Sequence, residues 1–269
     1  MWSNTILILI GALILMVPLA WMLSTSLKAN GEVFHVPISW IPKKILWRNY
    51  PEAVTFVPFL NYYRNSVFVS SLAVLGMVLS SSLVAFAFAR LRAPGKNILF
   101  IILLCTLMLP SEVTLVPVYL IFRYLGWLDS FRPLIIPYWF GGAFYIFLLR
   151  QFFMTIPTEL DDAAKIDGAT WFDIYWRIIL PLSKPALATV AIFSFYDSWN
   201  DFRSPLIYLN SQNLLTLPLG LSHYMSQLGN THWNYLMAAT LLTLIPPLLI
   251  FFFAQRFFIQ GAILTGLKG

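Results

Sequence analysis

The sequence predicts an all-α integral membrane protein with six membrane-spanning helices and a long polar loop between the fourth and fifth. Three observations carry this. Of 269 residues, 59% are apolar and only 10% charged, with a mean hydropathy of +0.77, whereas an ordinary soluble domain carries about 25% charged residues. Four windows, Thr5–Leu27, Ser66–Ala89, Pro133–Leu149 and Trp233–Gln255, contain no Asp, Glu, Lys or Arg. A helix needs roughly 17–25 residues to cross the hydrocarbon, so each can span, and all are far longer than the roughly 10-residue strands of a barrel. The lone cysteine, Cys105, lies inside an apolar run, which excludes a disulfide scaffold. The net charge of +6 sits mostly in short segments between apolar runs, where it reads as anchoring and topology rather than nucleic-acid binding.

In chain order the expected spans are 5–27, 66–89, 98–122, 133–153, 185–208 and 233–256, all within one transmembrane domain, 1–269. The first is not a signal peptide: it lacks a basic n-region, and its 23 uncharged residues exceed an h-region of roughly 7–15. Residues 28–65 hold Pro37, Pro42, Pro51, Pro58, Trp40 and Trp47 and read as an ordered extramembrane loop. Pro110 and Pro117 in the third span and Pro246 and Pro247 in the sixth allow bends. With the N-terminus inside, nine basic residues face the cytoplasm and eight the outside. The count is balanced, and the dense Arg90–Lys96 turn tilts the topology towards both termini inside.

Residues 154–184 carry five of the eleven acids. Thr158 is expected to cap a helix with Glu159 and Asp161 in its first turn, where acids suit the helix dipole. Leu160, Ala163, Ala164 and Asp167 share one face by helical spacing, and Gly168 suits the left-handed stop. Thr170 begins a second helix with Asp173 three residues on, Trp171, Ile174, Tyr175, Ile178 and Ile179 give its apolar face, and Pro181 ends it. Such a pair could lie on the membrane as a hairpin. The small pair Ala163–Ala164 beside acids favours a protein surface instead, because small side chains allow close approach and acids are repelled by anionic lipid.

Acids inside spans are costly enough to be functional candidates. At about 1.5 Å per residue, Glu112 lies about 21 Å along its helix from Ile98, and Asp197 about 18 Å from Pro185. Asp197, Asn200 and Asp201 fall on one face with Tyr196 and Trp199 flanking it. That layout suits a hydroxylated solute passing through the membrane. Alternatively these groups fasten a partner helix, or Asp201 pairs locally with Arg203. No P-loop sequence occurs, His35, His223 and His232 lack metal-ligand spacing, and no nucleophile elbow is present. The chain offers no catalytic residue and no metal site, so it does not read as an enzyme.

Asp162-Ala163-Ala164, Asp167-Gly168-Ala169 and Ile178-x-Leu180-Pro181 resemble the EAA loop of permease subunits of binding-protein-dependent ABC importers, with Asp162 in place of glutamate. Arg150-Gln151-Phe152-Phe153, Trp199-Asn200-Asp201-Phe202 with Pro205-Leu206, and the tail Gln255–Gly269 are similar to the carbohydrate-uptake branch, in particular the smaller permease of maltose-type and glycerol-3-phosphate-type systems. The resemblance implies a coupling helix (Glu159, Asp162, Ala163, Ala164, Asp167 and Gly168) docked on a cytoplasmic ATPase. It also implies two ATPase subunits that hold ATP with magnesium, no cofactor on this chain, a second, different permease, and an extracytoplasmic solute-binding protein. The setting would be a bacterial cytoplasmic (inner) membrane, with no nucleic-acid partner. A competing reading is a secondary transporter driven by protons through Glu112 and Asp197; such folds usually show a doubled repeat with broken helices, and six spans show no convincing repeat. Arg203 is the only basic group expected within the route, which favours a neutral sugar over a glycerol-3-phosphate-type solute.

Overall fold

The computed structural model describes residues 2–225, 231–253 and 255, so the tail signature beyond Gln255 falls outside the described residues. The secondary structure among them is helical throughout, with no strand. In chain order the elements are α1 (Trp2–Ser26), α2 (Asn49–Phe56), α3 (Phe59–Arg90), α4 (Lys96–Cys105), α5 (Ser111–Tyr124), α6 (Arg132–Ile135) and α7 (Ala143–Thr155). There follow α8 (Glu159–Ile166), α9 (Trp171–Asp173), α10 (Leu180–Leu182), α11 (Lys184–Trp199), α12 (Arg203–Tyr208), α13 (Leu217–Leu221) and α14 (Trp233–Thr243). Among the described residues, Thr5–Ser26, Phe59–Arg90, Arg132–Thr155 and Trp233–Phe253 are long and apolar enough to cross a membrane, and two bent pairs supply two more spans if each pair counts as one.

Both bent pairs correct the sequence reading. The expected third span, 98–122, is not one helix: Lys96–Met108 and Ser111–Tyr124 meet at 100°. The cause is Pro110, which lacks an N–H and forces the residue before it out of helical geometry; Leu109 is extended at φ −80°, ψ 115°. The expected fifth span, 185–208, is helical only to Trp199, breaks at Asn200–Phe202 and resumes as the short α12. Its start also bends, by 79° between Trp171–Leu182 and Lys184–Trp199, so the turn falls at Ser183 rather than Pro181. The expected second span, 66–89, begins seven residues earlier, because α3 absorbs the end of the 28–65 loop. The fourth crossing is irregular: a 3-10 turn over Ile136–Phe140 and the left-handed Gly141 (φ 79°) separate α6 from α7.

The described chain divides into two compact units. The first comprises Met1–Ser66 and Leu215–Leu248, with α1 packed on α14 and α14 on α2. Its interior is stitched by amides: Asn49 donates to the Ser26 and Lys28 carbonyls at 2.8 Å each and accepts from Asn234 at 3.2 Å. Such bonds satisfy backbone groups at a helix end that lacks internal partners. The second unit comprises Val67–Leu214 and Leu249–Gly269. Its core is built from Phe86, Ile146, Leu149, Phe153, Ile174, Ile179 and Val190, all buried.

Gly220, in the first unit, lies against the fully buried ring of Tyr62, where an added Cβ would stand 2.2 Å from Cδ2. The ring has no free space to retreat into, so Gly220→Ala is expected to cost about 1–3 kcal/mol. Thermal unfolding of the purified chain in detergent measures this, and an unchanged midpoint would contradict the packing.

Candidate functional site

Two groups of residues in the second unit draw together the sequence candidates. The first is the loop between α7 and α11. α8 ends in a Schellman motif: the Gly168 N–H reaches the Lys165 carbonyl at 3.0 Å and the Ala169 N–H reaches that of Ala164 at 2.9 Å, with Gly168 at φ 83°. Thr170 and Asp173 then form a complete capping box, with the Asp173 carboxylate accepting from the Thr170 N–H at 3.1 Å. The Thr170 hydroxyl, which also donates to this carboxylate at 2.5 Å, and then the N–H hold the Asp173 carboxyl below the usual carboxylate range. A π-helical segment, Ile174–Ile179, follows and buries Ile174, Tyr175 and Ile179. The Tyr175 hydroxyl lies 2.8 Å from Ser82 Oγ on α3, which ties the loop to a long helix. The start of the loop differs from expectation, since Thr158 is helical and makes no side-chain cap.

On α8, Asp161 turns inward and Ala164 is half-buried against the core, while Glu159, Leu160, Asp162, Ala163, Asp167 and Gly168 are exposed. Asp161 pairs with Arg90 at the end of α3, Nε to Oδ2 at 3.4 Å, with side chains only 4% and 5% exposed. Arg90 also donates to the Ile156 carbonyl at 2.7 Å. Burial raises the Asp161 carboxyl above its ordinary value against the pull of Arg90. Neither Asp161 Oδ1 nor Arg90 Nε makes a hydrogen bond among the described residues, so the two charges compensate one another as an ion contact. Sequence reasoning missed this pair. The available signal was Asp161-Asp162 itself: neighbours on a helix point about 100° apart, so the two acids meet different surroundings, and one that turns inward needs a cation.

The second group lies around the two helix breaks. Glu112, in the first turn of α5, pairs with Arg203 at the start of α12 at 2.8 Å. Ser111 bonds both partners, at 3.0 Å and 3.3 Å. Arg203 therefore does not pair with Asp201, whose carboxylate instead accepts from the Ser204 N–H at 3.0 Å. Asp197 receives a 2.5 Å hydrogen bond from the Tyr145 hydroxyl, and Tyr138 sits beside both Asp197 and Asp201. Asn200 caps the end of α11 and turns its amide back to the Tyr196 carbonyl at 2.9 Å, so the helical face expected for Asp197, Asn200 and Asp201 ends before Asp201. Trp199 is buried and stacks on Phe195, and Tyr196 is exposed. A cavity of about 560 Å³ is lined by Asp201, Ser204, Tyr138, Tyr208, Trp127 and Phe140 among others. A smaller one of about 300 Å³ joins Ser111, Thr114, Asp201 and Arg203. Aromatic walls with one carboxyl, that of Asp201, and a few hydroxyl groups match the chemistry of a sugar, which has an apolar ring face and a hydroxyl rim.

Comparison with known proteins places these features in context. Residues 78–263 match the family described as binding-protein-dependent transport system inner membrane component. The chain is 37% identical over 266 residues to the sn-glycerol-3-phosphate transport system permease protein UgpE of Pectobacterium atrosepticum, covering 96% of this chain and 94% of that one. It is 33% identical over 271 residues to the arabinooligosaccharides transport system permease protein AraQ of Halalkalibacterium halodurans, covering 100% and 96%. A chain of a bacterial ABC transporter involved in import of the acidic polysaccharide alginate shares the fold, with a TM-score of 0.84 at 24% identity over 95% of each chain.

Removing one member of a buried ion pair leaves an uncompensated charge, at a cost of about 3–5 kcal/mol, whereas replacing both by apolar groups of similar size can be near neutral. Arg90→Ala and Asp161→Ala are each expected to destabilise by that amount, and Arg90→Met with Asp161→Leu to recover most of it. Chemical unfolding of the three variants in detergent tests this. Single variants within 1 kcal/mol of the parent would show that the pair bears no load.

Proposed function

The chain belongs to the binding-protein-dependent transport system inner membrane component family, and from that membership we propose that it forms part of the translocation pathway for a sugar, driven by a separate cytoplasmic ATPase. The observation that carries the coupling half is the two-sided α8. Its inner face is fastened through Asp161 and Ala164, while Asp162, Ala163, Ile166 and Asp167 stand exposed, Ile166 at 87%. An exposed apolar tip framed by acids, on a helix closed at its C-terminal end by the Schellman turn, is suited to docking in a cleft of a partner. ATP with magnesium belongs to that partner, which acts as a pair of subunits. A second, different permease completes the pathway and an extracytoplasmic binding protein delivers the solute. In this arrangement the loop and both termini face the cytoplasm.

The route half rests on the Glu112–Arg203 pair and on Asp197 and Asp201. The pair is 69% and 46% exposed in the isolated chain, and an ion pair at membrane depth does not face lipid. It therefore lies against the partner permease or the solute path. With Arg203 matched by Glu112, the remaining charges are the carboxyls of Asp197 and Asp201. That wall suits a neutral, hydroxyl-rich solute and repels a phosphate, which supports a sugar over a glycerol-3-phosphate-type substrate.

Because Ala163 is exposed and Ala164 is not, Ala163 is the position at which a bulky residue tests docking without disturbing the loop's own packing. Ala163→Trp is expected to cost about 1–3 kcal/mol at a close interface, a five- to more than hundredfold loss of bound ATPase. Membrane insertion and the melting midpoint should remain unchanged. Co-purification of the ATPase with the variant complex, together with ATP-driven sugar uptake, measures it. Full retention with coupled uptake would refute the docking proposal.

A further inference from the structure

Four basic side chains line a cavity of about 900 Å³ between the turn after α3 and α8, beside the Arg90–Asp161 pair. Arg90, Arg92, Lys96 and Lys165 share it with Asp161 and Asp162. Two of these cations are already matched: Arg90 by Asp161, and Lys165 by Asp162 at 3.4 Å, with the Lys165 ammonium also 4.1 Å over the Trp171 ring. Arg92 has no partner among the described residues, and Lys96 spends one of its three donors on the Leu91 carbonyl at 2.8 Å. The cavity thus retains two uncompensated positive charges, with most of their donors unspent.

What adjoins those charges selects the ligand. Arg92 and Lys96 also line a second recess of about 400 Å³ with Gly95, Asn97 and Ile98. Gly95 leaves open space where a side chain would stand. Directly beyond it, α4 presents Ile98, Leu99, Ile101 and Ile102 as a largely exposed aliphatic face. An acidic side chain of a docked protein would need the cations but not the aliphatic face. A phospholipid needs both, with phosphate on the basic groups and acyl chains along the helix. We propose that the Leu91–Asn97 turn and α8 seat the phosphate headgroup of an anionic phospholipid, whose chains lie along α4. The headgroup would then share its cavity with Asp162 and Lys165 of α8.

The test uses the full-length chain purified in detergent, with native mass spectrometry and melting midpoints read against phosphatidylglycerol, phosphatidylcholine and inorganic phosphate. The parent chain is expected to bind phosphatidylglycerol at least tenfold more tightly than phosphatidylcholine. Arg92→Ala with Lys96→Ala should weaken phosphatidylglycerol about thirtyfold, at about fivefold per basic group, without changing phosphatidylcholine binding. Arg92→Lys with Lys96→Arg should keep the preference. Lys43→Ala with Lys44→Ala, which removes the same charge from another exposed segment, should also keep it. The proposal is overturned by unchanged binding in the Arg92/Lys96 alanine pair, or by an equal loss in the Lys43/Lys44 pair. Full protection of the site by millimolar inorganic phosphate would assign it to a small anion and overturn the lipid assignment. Intact lipid binding with loss of a co-purified ATPase would assign the cations to protein docking.

Discussion

The buried pair of Arg90 and Asp161 is the interaction on which the loop architecture turns. It joins the last residue of α3, a 32-residue helix, to the first turn of α8. The same guanidinium holds the Ile156 carbonyl at the exit of α7, so one side chain gathers three elements. Around it the caps leave little slack: the Schellman turn at Gly168 closes α8, the capping box at Thr170 opens the next helix, and Tyr175 reaches Ser82. Each is modest alone, but together they fix which face of α8 looks outward. The exposed side is therefore a consequence of how the inner side is held.

Within the apolar segments the governing constraint is different, because hydrocarbon offers no water to satisfy a freed backbone group or a charge. The chain breaks its helices at Leu109–Pro110 and at Asn200–Phe202, and places charged or polar side chains at both breaks. Asp201 takes the Ser204 N–H at the second break, while Glu112 and Arg203 neutralise one another between them. The breaks and the polar groups thus support each other. Irregular backbone makes room for a recess, and Asp201 lines it. On the proposed reading that recess belongs to the solute path.

Much of this is legible in the sequence, for identifiable reasons. The span composition, the left-handed Gly168 and the Thr170–Asp173 box depend on local chemistry, and the structure keeps all three. Which face of α8 meets the core is not legible, because helical spacing gives a set of faces but not the tertiary partner; here Arg90 selects Asp161. Pro110 is visible in the sequence, but whether a proline bends a span or ends a helix depends on its neighbours. Here Leu109 becomes extended and the axis turns by 100°. The polar stripe of Asp197, Asn200 and Asp201 fails for a related reason: its spacing presumes a helix that stops at Trp199.

The central claim is that α8 is held as part of the transmembrane body through Arg90. Hydrogen exchange on the purified chain measures that directly, because backbone amides report local opening free energy. The account predicts that amides over residues 161–169 exchange slowly, at rates close to those of α11. It also predicts that Arg90→Ala accelerates them at least a hundredfold while leaving α11 unchanged. Fast exchange over α8 in the parent chain, or rates indifferent to Arg90→Ala, would contradict it.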